Sequence, residues 1–236
     1  MEWSERGLIL GVRKHGENSV IVELMTRGHG RHMGVVRAGR SKSMQPVLQP
    51  GNEVAAVWRA RLEEHIGAFV VEPAHLRTHE LMGSARALHG VNWIAALLRL
   101  LPERDPHASL YDMALALLPA LAGPAALDLF VRFELATLAE LGFGLDLDTC
   151  AATGQRDDLI YVSPKSGRAV SRKAGAPWAD KWLPLPDFLR AEPGGPVARA
   201  QALDGFRLAG FFLERDIYAP RGLRMPDSRA AFLAAL

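Results

Sequence analysis

Five cations, Arg27, Arg31, Arg37, Arg40 and Lys42, fall within residues 24–52, and that stretch contains no carboxylate. The nearest acids are Glu23 before it and Glu53 after it. The segment sums to +5 while the other 207 residues sum to −3, so the excess is local rather than a property of the whole chain. Guanidinium groups suit phosphate, because the planar fork grips two oxygens at once. Each phosphate neutralised releases condensed counterions, which drives binding without regard to base sequence. Gly28, Gly30, Gly34 and Gly39 let the backbone bend tightly and approach a ligand closely. The plainer reading is a solvated loop whose charge only keeps the protein soluble. A second candidate patch is Lys165, Arg168, Arg172 and Lys173, with no acid between Asp158 and Asp180.

Other chemistry is approached and missed. The segment from Gly34 to Ser41 is one residue from a phosphate loop, with Arg40 in the lysine position. A phosphate loop must open a helix, and the following "KSMQPVLQPG" cannot be one. Gly28, Gly30 and Gly34 miss the dinucleotide fingerprint by one residue. His75 and His79 have the i, i+4 spacing of a helical zinc pair, but Glu80 lies outside the pair and no third ligand is evident. No Gly-x-Ser-x-Gly elbow is present, and Cys150 has no histidine near it in sequence. These absences predict a non-enzymatic chain with no catalytic residue, cofactor or metal. Arg132 in "LFVRFEL" sits among Phe130, Val131 and Phe133. It suits an acidic peptide that ends in an apolar residue and a free carboxylate. An internal ion pair with Asp128 or Glu134 suits it equally.

The elements that must position these residues follow from periodicity. Residues 3–72 alternate apolar and polar positions in short runs, "GLILGV", "SVIVELMT", "RHMGVVRA", "NEVAAVWRARLEE" and "GAFVVEP". Five antiparallel strands with glycine-rich turns in so few residues predict an OB-fold barrel. Trp58 alternates with Arg59 and Arg61, so it points away from them, into the barrel core or as a platform for a stacked base, with the core favoured, and Phe69 belongs to the same core. Beyond Pro73 the period becomes helical, in "HELMGSARALHGVNWIAALLRLL", "ASLYDMALALLPAL", "AALDLFVRFELATLAELGF", "VARAQALDGFRLAGFFLERDI" and a short tail "DSRAAFLAAL". Residues 159–173 read as a hairpin, with Trp178 and Trp182 beside it to cover the helical body. The expected class is α+β, with an N-terminal OB-fold over 1–74 and a helical domain over 75–236 that contains a β-hairpin insertion at about 146–180. One cysteine cannot form an internal disulfide. The N-terminus has acids where a signal peptide has cations, and no apolar run is long enough to span a bilayer. The cytoplasm is the default, with no membrane partner.

Cys150-Ala-Ala-Thr153 and Ser171-Arg-Lys-Ala174 have the spacing of a zinc ribbon's two cysteine pairs, but three of the four thiolates are missing. Hydroxyl and methyl groups do not replace soft anionic ligands, so the insertion is expected to be held by hairpin pairing and packing. Together "GLILGVRKHGENSVIVELMT", "TRGHGRHMGVVRAGRSK", "LQPGNEVAAVWRAR" and "VRFELATLAELGFGLDLDTCAATG" resemble the bacterial RecO family of DNA-repair recombination mediators. Order and spacing agree over most of the chain. The departure is the cysteine set, which numbers four in some relatives. The resemblance implies an OB-fold followed by a helical domain, and binding of single- and double-stranded DNA. It also implies annealing of complementary strands and recombinase loading onto strands coated by single-strand DNA-binding protein, in the nucleoid. Implied partners are RecR, in some systems RecF, and the acidic C-terminal tail of single-strand DNA-binding protein. An RNA-binding OB protein and a scaffold for acidic proteins are the rival readings.

Overall fold

Strand β2 (Ser19–Thr26) buries Val20, Val22 and Leu24 and leaves Ile21 and Glu23 half-exposed, as its alternation predicts. It belongs to a five-stranded closed barrel with β1 (Glu2–His15), β3 (Gly30–Val36), β4 (Glu53–Arg59) and β5 (Ala68–His75), in the order β1-β2-β3-β5-β4. This is the OB-fold. The computed structural model describes residues 1–62, 64–191 and 197–236. Strand β1 is longer than "GLILGV" because it has two partners: Glu2 to Leu8 pair with β4, and Gly7 to His15 pair with β2. Strands β3 and β5 run parallel with Val35 and Ala68 as their registered pair, which makes this seam the thinnest in the barrel. Ile9, Val22, Leu24, Val54, Trp58 and Phe69 fill the interior. Gly34 is required there, since a Cβ would stand 2.3 Å from the Phe69 ring.

The first expected helix is two. Helix α1 (Thr78–Leu81) stops at Met82-Gly83, and α2 (Ala85–Leu98) begins anew with Ser84 as its cap, accepting from the Ala87 N–H. Helices α3 (Ala108–Ala120) and α4 (Ala126–Glu140) follow. The hairpin of β6 (Leu159–Val162) and β7 (Ala169–Ser171) gains a third strand, β8 (Leu183–Pro184), with the short α5 (Arg172–Gly175) between. Helix α6 (Arg199–Phe212) continues into a wider π-helical stretch, Leu213–Tyr218, and α7 (Asp227–Ala234) closes the chain. Trp58 and Phe69 are core residues, as expected. Trp178 is not a cover for the helical body, being 52% exposed. Among the described residues no helix is long and apolar enough to cross a membrane.

Two compact units result: Met1–Ala122 with Ser228–Ala235, and Gly123–Asp227. The first unit therefore runs on past the barrel, whose last strand ends at His75. The first unit retains α1 to α3 because polar contacts tie them to the strands. Arg99, at the end of α2, donates to the Leu10 carbonyl at 2.7 Å and to Glu23 at 2.6 Å. The Arg104 N–H donates to the Arg31 carbonyl at 2.9 Å.

Candidate nucleic-acid interface

The five cations divide by their surroundings. Arg31, on β3, is only 14% exposed; it pairs with Glu23 at 2.8 Å and Glu103 at 3.4 Å. Glu23 in turn answers Arg99, so these side chains clamp the barrel to the end of α2. Arg31, expected on a phosphate track, is instead engaged by these carboxylates and largely buried. Arg27, in the β2–β3 turn, holds Asp112 of α3 through Nε and Nη2 at 3.0–3.1 Å. Both partners are at least half exposed, so the pair is weak and solvent-screened. Arg37, Arg40 and Lys42 follow β3 in an exposed loop, and no carboxylate among the described residues pairs with them. Ala38, at φ 52°, turns this loop, and the Arg40 N–H bonds the Asn18 carbonyl of the β1–β2 turn.

That last bond reveals cations absent from the sequence-based set. Lys14 on β1 and Val36 on β3 are both opposite Val20 of β2, and Arg13 and Val35 are both opposite Ile21. The exposed Arg13 and Lys14 therefore share a barrel end with the Arg37 loop. Their signal was the "VRKHGEN" turn, masked by the acid at Glu17. Arg37 also lines a groove of about 470 Å³ along the β3–β5 seam, with Arg59 beside it and Val35, Phe69 and Val70 among its apolar lining. The groove thus offers charge for phosphate together with apolar area.

At the other end of β3, Trp3, His29, His32 and Trp58 ring a second opening. Burial first and the Arg104 charge second push His32 down to about 4, while a weak backbone contact with His29 acts in the opposite direction. Unfolded histidine titrates near 6.5, so between these values the unfolded chain binds a proton that the folded barrel refuses. Stability should accordingly fall as pH is lowered from about 6.5 towards about 4. His32→Phe should flatten that part of the profile in denaturant melts, and an unchanged profile would clear His32 of the effect.

The model of the Recombination protein O N-terminal family matches residues 1–76, and that of the C-terminal family matches residues 83–224. The chain belongs to the RecO family. It is 60% identical to the DNA repair protein RecO of Rhizobium etli over 237 aligned residues, covering all of this chain and 92% of that one. Against the RecO proteins of Methylocella silvestris and Methylobacterium nodulans the identities are 58% and 59%, over 99% of this chain and 95% and 97% of theirs.

In this RecO-family chain the second unit treats its cations differently. Arg168 pairs with Asp146 and Arg172 with Asp158, each at 3.1 Å in exposed settings. Lys165 and Lys173 are exposed with no ion pair among the described residues. Arg132 takes the internal option: Nε holds Asp128 at 2.6 Å, and Nη2 donates to the carbonyls of Phe188 and Ala191. With three contacts already made, its guanidinium is committed to fixing α4 against the Phe188 segment. The i, i+4 pair His75 and His79 does not form a helical face, because His75 ends β5 and His79 lies in α1.

The ribbon-like insertion carries one thiol where a zinc ribbon has four. Cys150 is buried; its sulfur accepts from the Ser171 N–H at 3.3 Å, and its thiol donates to the Ser171 hydroxyl at 3.6 Å. Burial alone would raise this thiol, but hydrogen bonds from Thr153 and Ser171 outweigh it and bring it to about 6. One thiol with two hydroxyls does not fit zinc. Among the described residues no cluster of three or more His, Cys, Asp or Glu could hold a metal ion.

Proposed function

We propose that this chain is a DNA repair protein of homologous recombination that binds single- and double-stranded DNA through its OB barrel. Arg37, Arg40 and Lys42 carry the reading: three exposed cations without carboxylate partners among the described residues, beside a groove that also holds Arg59. Arg13, Lys14 and the weakly paired Arg27 extend the cationic surface. The relatives' shared name, DNA repair protein RecO, agrees with it. Lys165 and Lys173, with the exposed Arg168 and Arg172, form a second contact for DNA on the other unit.

By screening phosphate repulsion, the cations let complementary strands approach, and base pairing supplies the free energy of annealing. No nucleotide cofactor, metal or catalytic residue takes part. In the cell the protein would help load recombinase onto strands coated by single-strand DNA-binding protein. RecR, in some systems RecF, and the acidic tail of that binding protein would be its partners. Because Arg132 is occupied internally, the tail is not assigned to it.

Annealing of two complementary oligonucleotides, without ATP and with a chelator, tests the reading, and acceleration over the protein-free rate is expected. Single-strand affinity should fall with salt at a slope of about −0.7 per phosphate neutralised. Absence of acceleration together with salt-insensitive affinity would overturn it. An RNA strand bound more tightly than DNA of the same sequence would instead support the RNA-binding alternative.

A further inference from the structure

We propose that the barrel mouth formed by Trp3, His29, His32 and Arg104 is a nucleobase pocket that takes one unstacked base of a bound single strand. The inference rests on the strand binding proposed above and adds a base contact to a reading that otherwise uses only phosphates. The cavity measures about 370 Å³, within the size range of small-molecule sites, and barrel mouths are a common place for them. Its walls are rings. Trp3 lies parallel to His29, with centroids 4.5 Å and planes 13° apart, and nearly parallel to Trp58 at 5.9 Å and 18°. His32 stands edge-on to both tryptophans, at 80° and 74°. Trp58 is buried, while Trp3 and His29 are half-exposed, so the stacked planes lead from the core outward. A flat aromatic guest entering from solvent continues that stacking.

Two polar features point to a guest with a hydrogen-bonding edge. His32 is 5% exposed and lines the cavity, yet among the described residues its Nδ1 has no partner at full hydrogen-bond geometry. A buried polar atom left unpaired is costly, and an incoming base with donors and acceptors on its edge removes that cost. Arg104, also in the lining, occupies the left-handed region at φ 64°, a conformation costly for a non-glycine residue and concentrated at functional sites. Its Nη2 donates to the His65 carbonyl at 3.0 Å, which steadies the guanidinium while leaving other N–H groups for the phosphate of the same nucleotide. The Arg104 charge disfavours a cationic guest such as an alkylated lysine. Glu2, the one acid in the lining among the described residues, is engaged by Arg59 at 2.9 Å.

The same ion pair links the pocket to the cationic groove, because Arg59 lines the groove and Glu2 lines the pocket. A strand leaving the Arg37 loop reaches the pocket by following the barrel past Arg59. Strand β3, seven residues long, sets the span at about 20 Å, which suits an OB-fold site of roughly 4–16 nucleotides.

The test compares oligothymidylate with an abasic strand of equal length and equal phosphate number, by fluorescence anisotropy on the full chain. The base-bearing strand should bind about 5- to 150-fold more tightly, the range for one stacked base. In His29→Ala that ratio should fall to near one, and His32→Phe, which keeps a ring but removes Nδ1, should lower it in part. Melting temperatures accompany both variants. A wild-type ratio of one overturns the pocket and leaves phosphate binding standing. A ratio in His29→Ala equal to wild type, with only the melting temperature lowered, makes the rings a barrel plug and also overturns it. Failure to bind either strand overturns the pocket and the DNA reading together.

Discussion

Replacing Arg37, Arg40 and Lys42 together by alanine should weaken single-strand binding by about two decades near 0.1 M salt, at about 0.7 decade for each phosphate no longer neutralised. The same substitution should reduce the salt slope by about 2. On the proposed reading these side chains contact the strand through its phosphates, so every base sequence should lose affinity by the same factor. All three are exposed, so their removal leaves the barrel core untouched and the melting temperature close to that of the parent. Arg31→Ala should do the reverse. It strips Glu23 and Glu103 of a shared partner whose own side chain is 14% exposed, and it loosens the tie to α2. The melting temperature should drop, with a smaller change in salt slope. Anisotropy titrations over a range of salt, paired with thermal melts, separate the two classes. A triple variant with parental slope and affinity would remove this loop from the interface.

The contrast between Arg31 and Arg37 shows what a linear reading can and cannot recover. The barrel was legible because alternation is local: each strand's inward residues are fixed by its own period, and the turns by their glycines. The charge excess was legible for the same reason. Its neutralisation was not, because the acids arrive from elsewhere in the chain. Asp112 reaches Arg27 across 85 residues, and Glu103 reaches Arg31 across 72. Glu23, immediately before the acid-free run, was visible, but only the pairing of β2 with β3 puts it beside Arg31. The ring cluster at the barrel mouth was hidden more completely. Trp3 and Trp58 become neighbours through the β1–β4 register, and no spacing within either strand announces it. The split of the first helix was readable after all, since Gly83-Ser84 is a stop followed by a cap.

Asn52 carries the other large expected effect, and it governs whether the cationic loop has a fixed place at all. The side chain is fully buried, and it makes five hydrogen bonds. Its Nδ2 donates to the carbonyls of Pro46 and Val47 at 2.9 and 3.0 Å. Its Oδ1 accepts from the N–H groups of Arg77 and Thr78 and from the Thr78 hydroxyl, at 2.7–3.1 Å. One amide thus holds the end of the loop after β3 to the chain segment that opens α1. Asn52→Ala leaves two carbonyls and two N–H groups with that partner gone, at about 1–3 kcal/mol for each group that stays buried and unsatisfied. A drop of about 4 kcal/mol in stability follows even if some groups find water, which is among the larger single-residue effects. It should lower the melting temperature of the unit containing the barrel by roughly 8–16 °C. Asn52→Asp is the sharper variant, because it preserves the acceptor and the volume. It replaces the amide donor by an oxygen that faces two carbonyls, so it should be nearly as damaging as alanine. Below the melting temperature both variants should also bind DNA less tightly, since Arg40 and Lys42 lose the anchored loop that presents them. A fall of under about 1 kcal/mol in denaturant titrations of Asn52→Ala would show that the loop is held by its backbone turns alone.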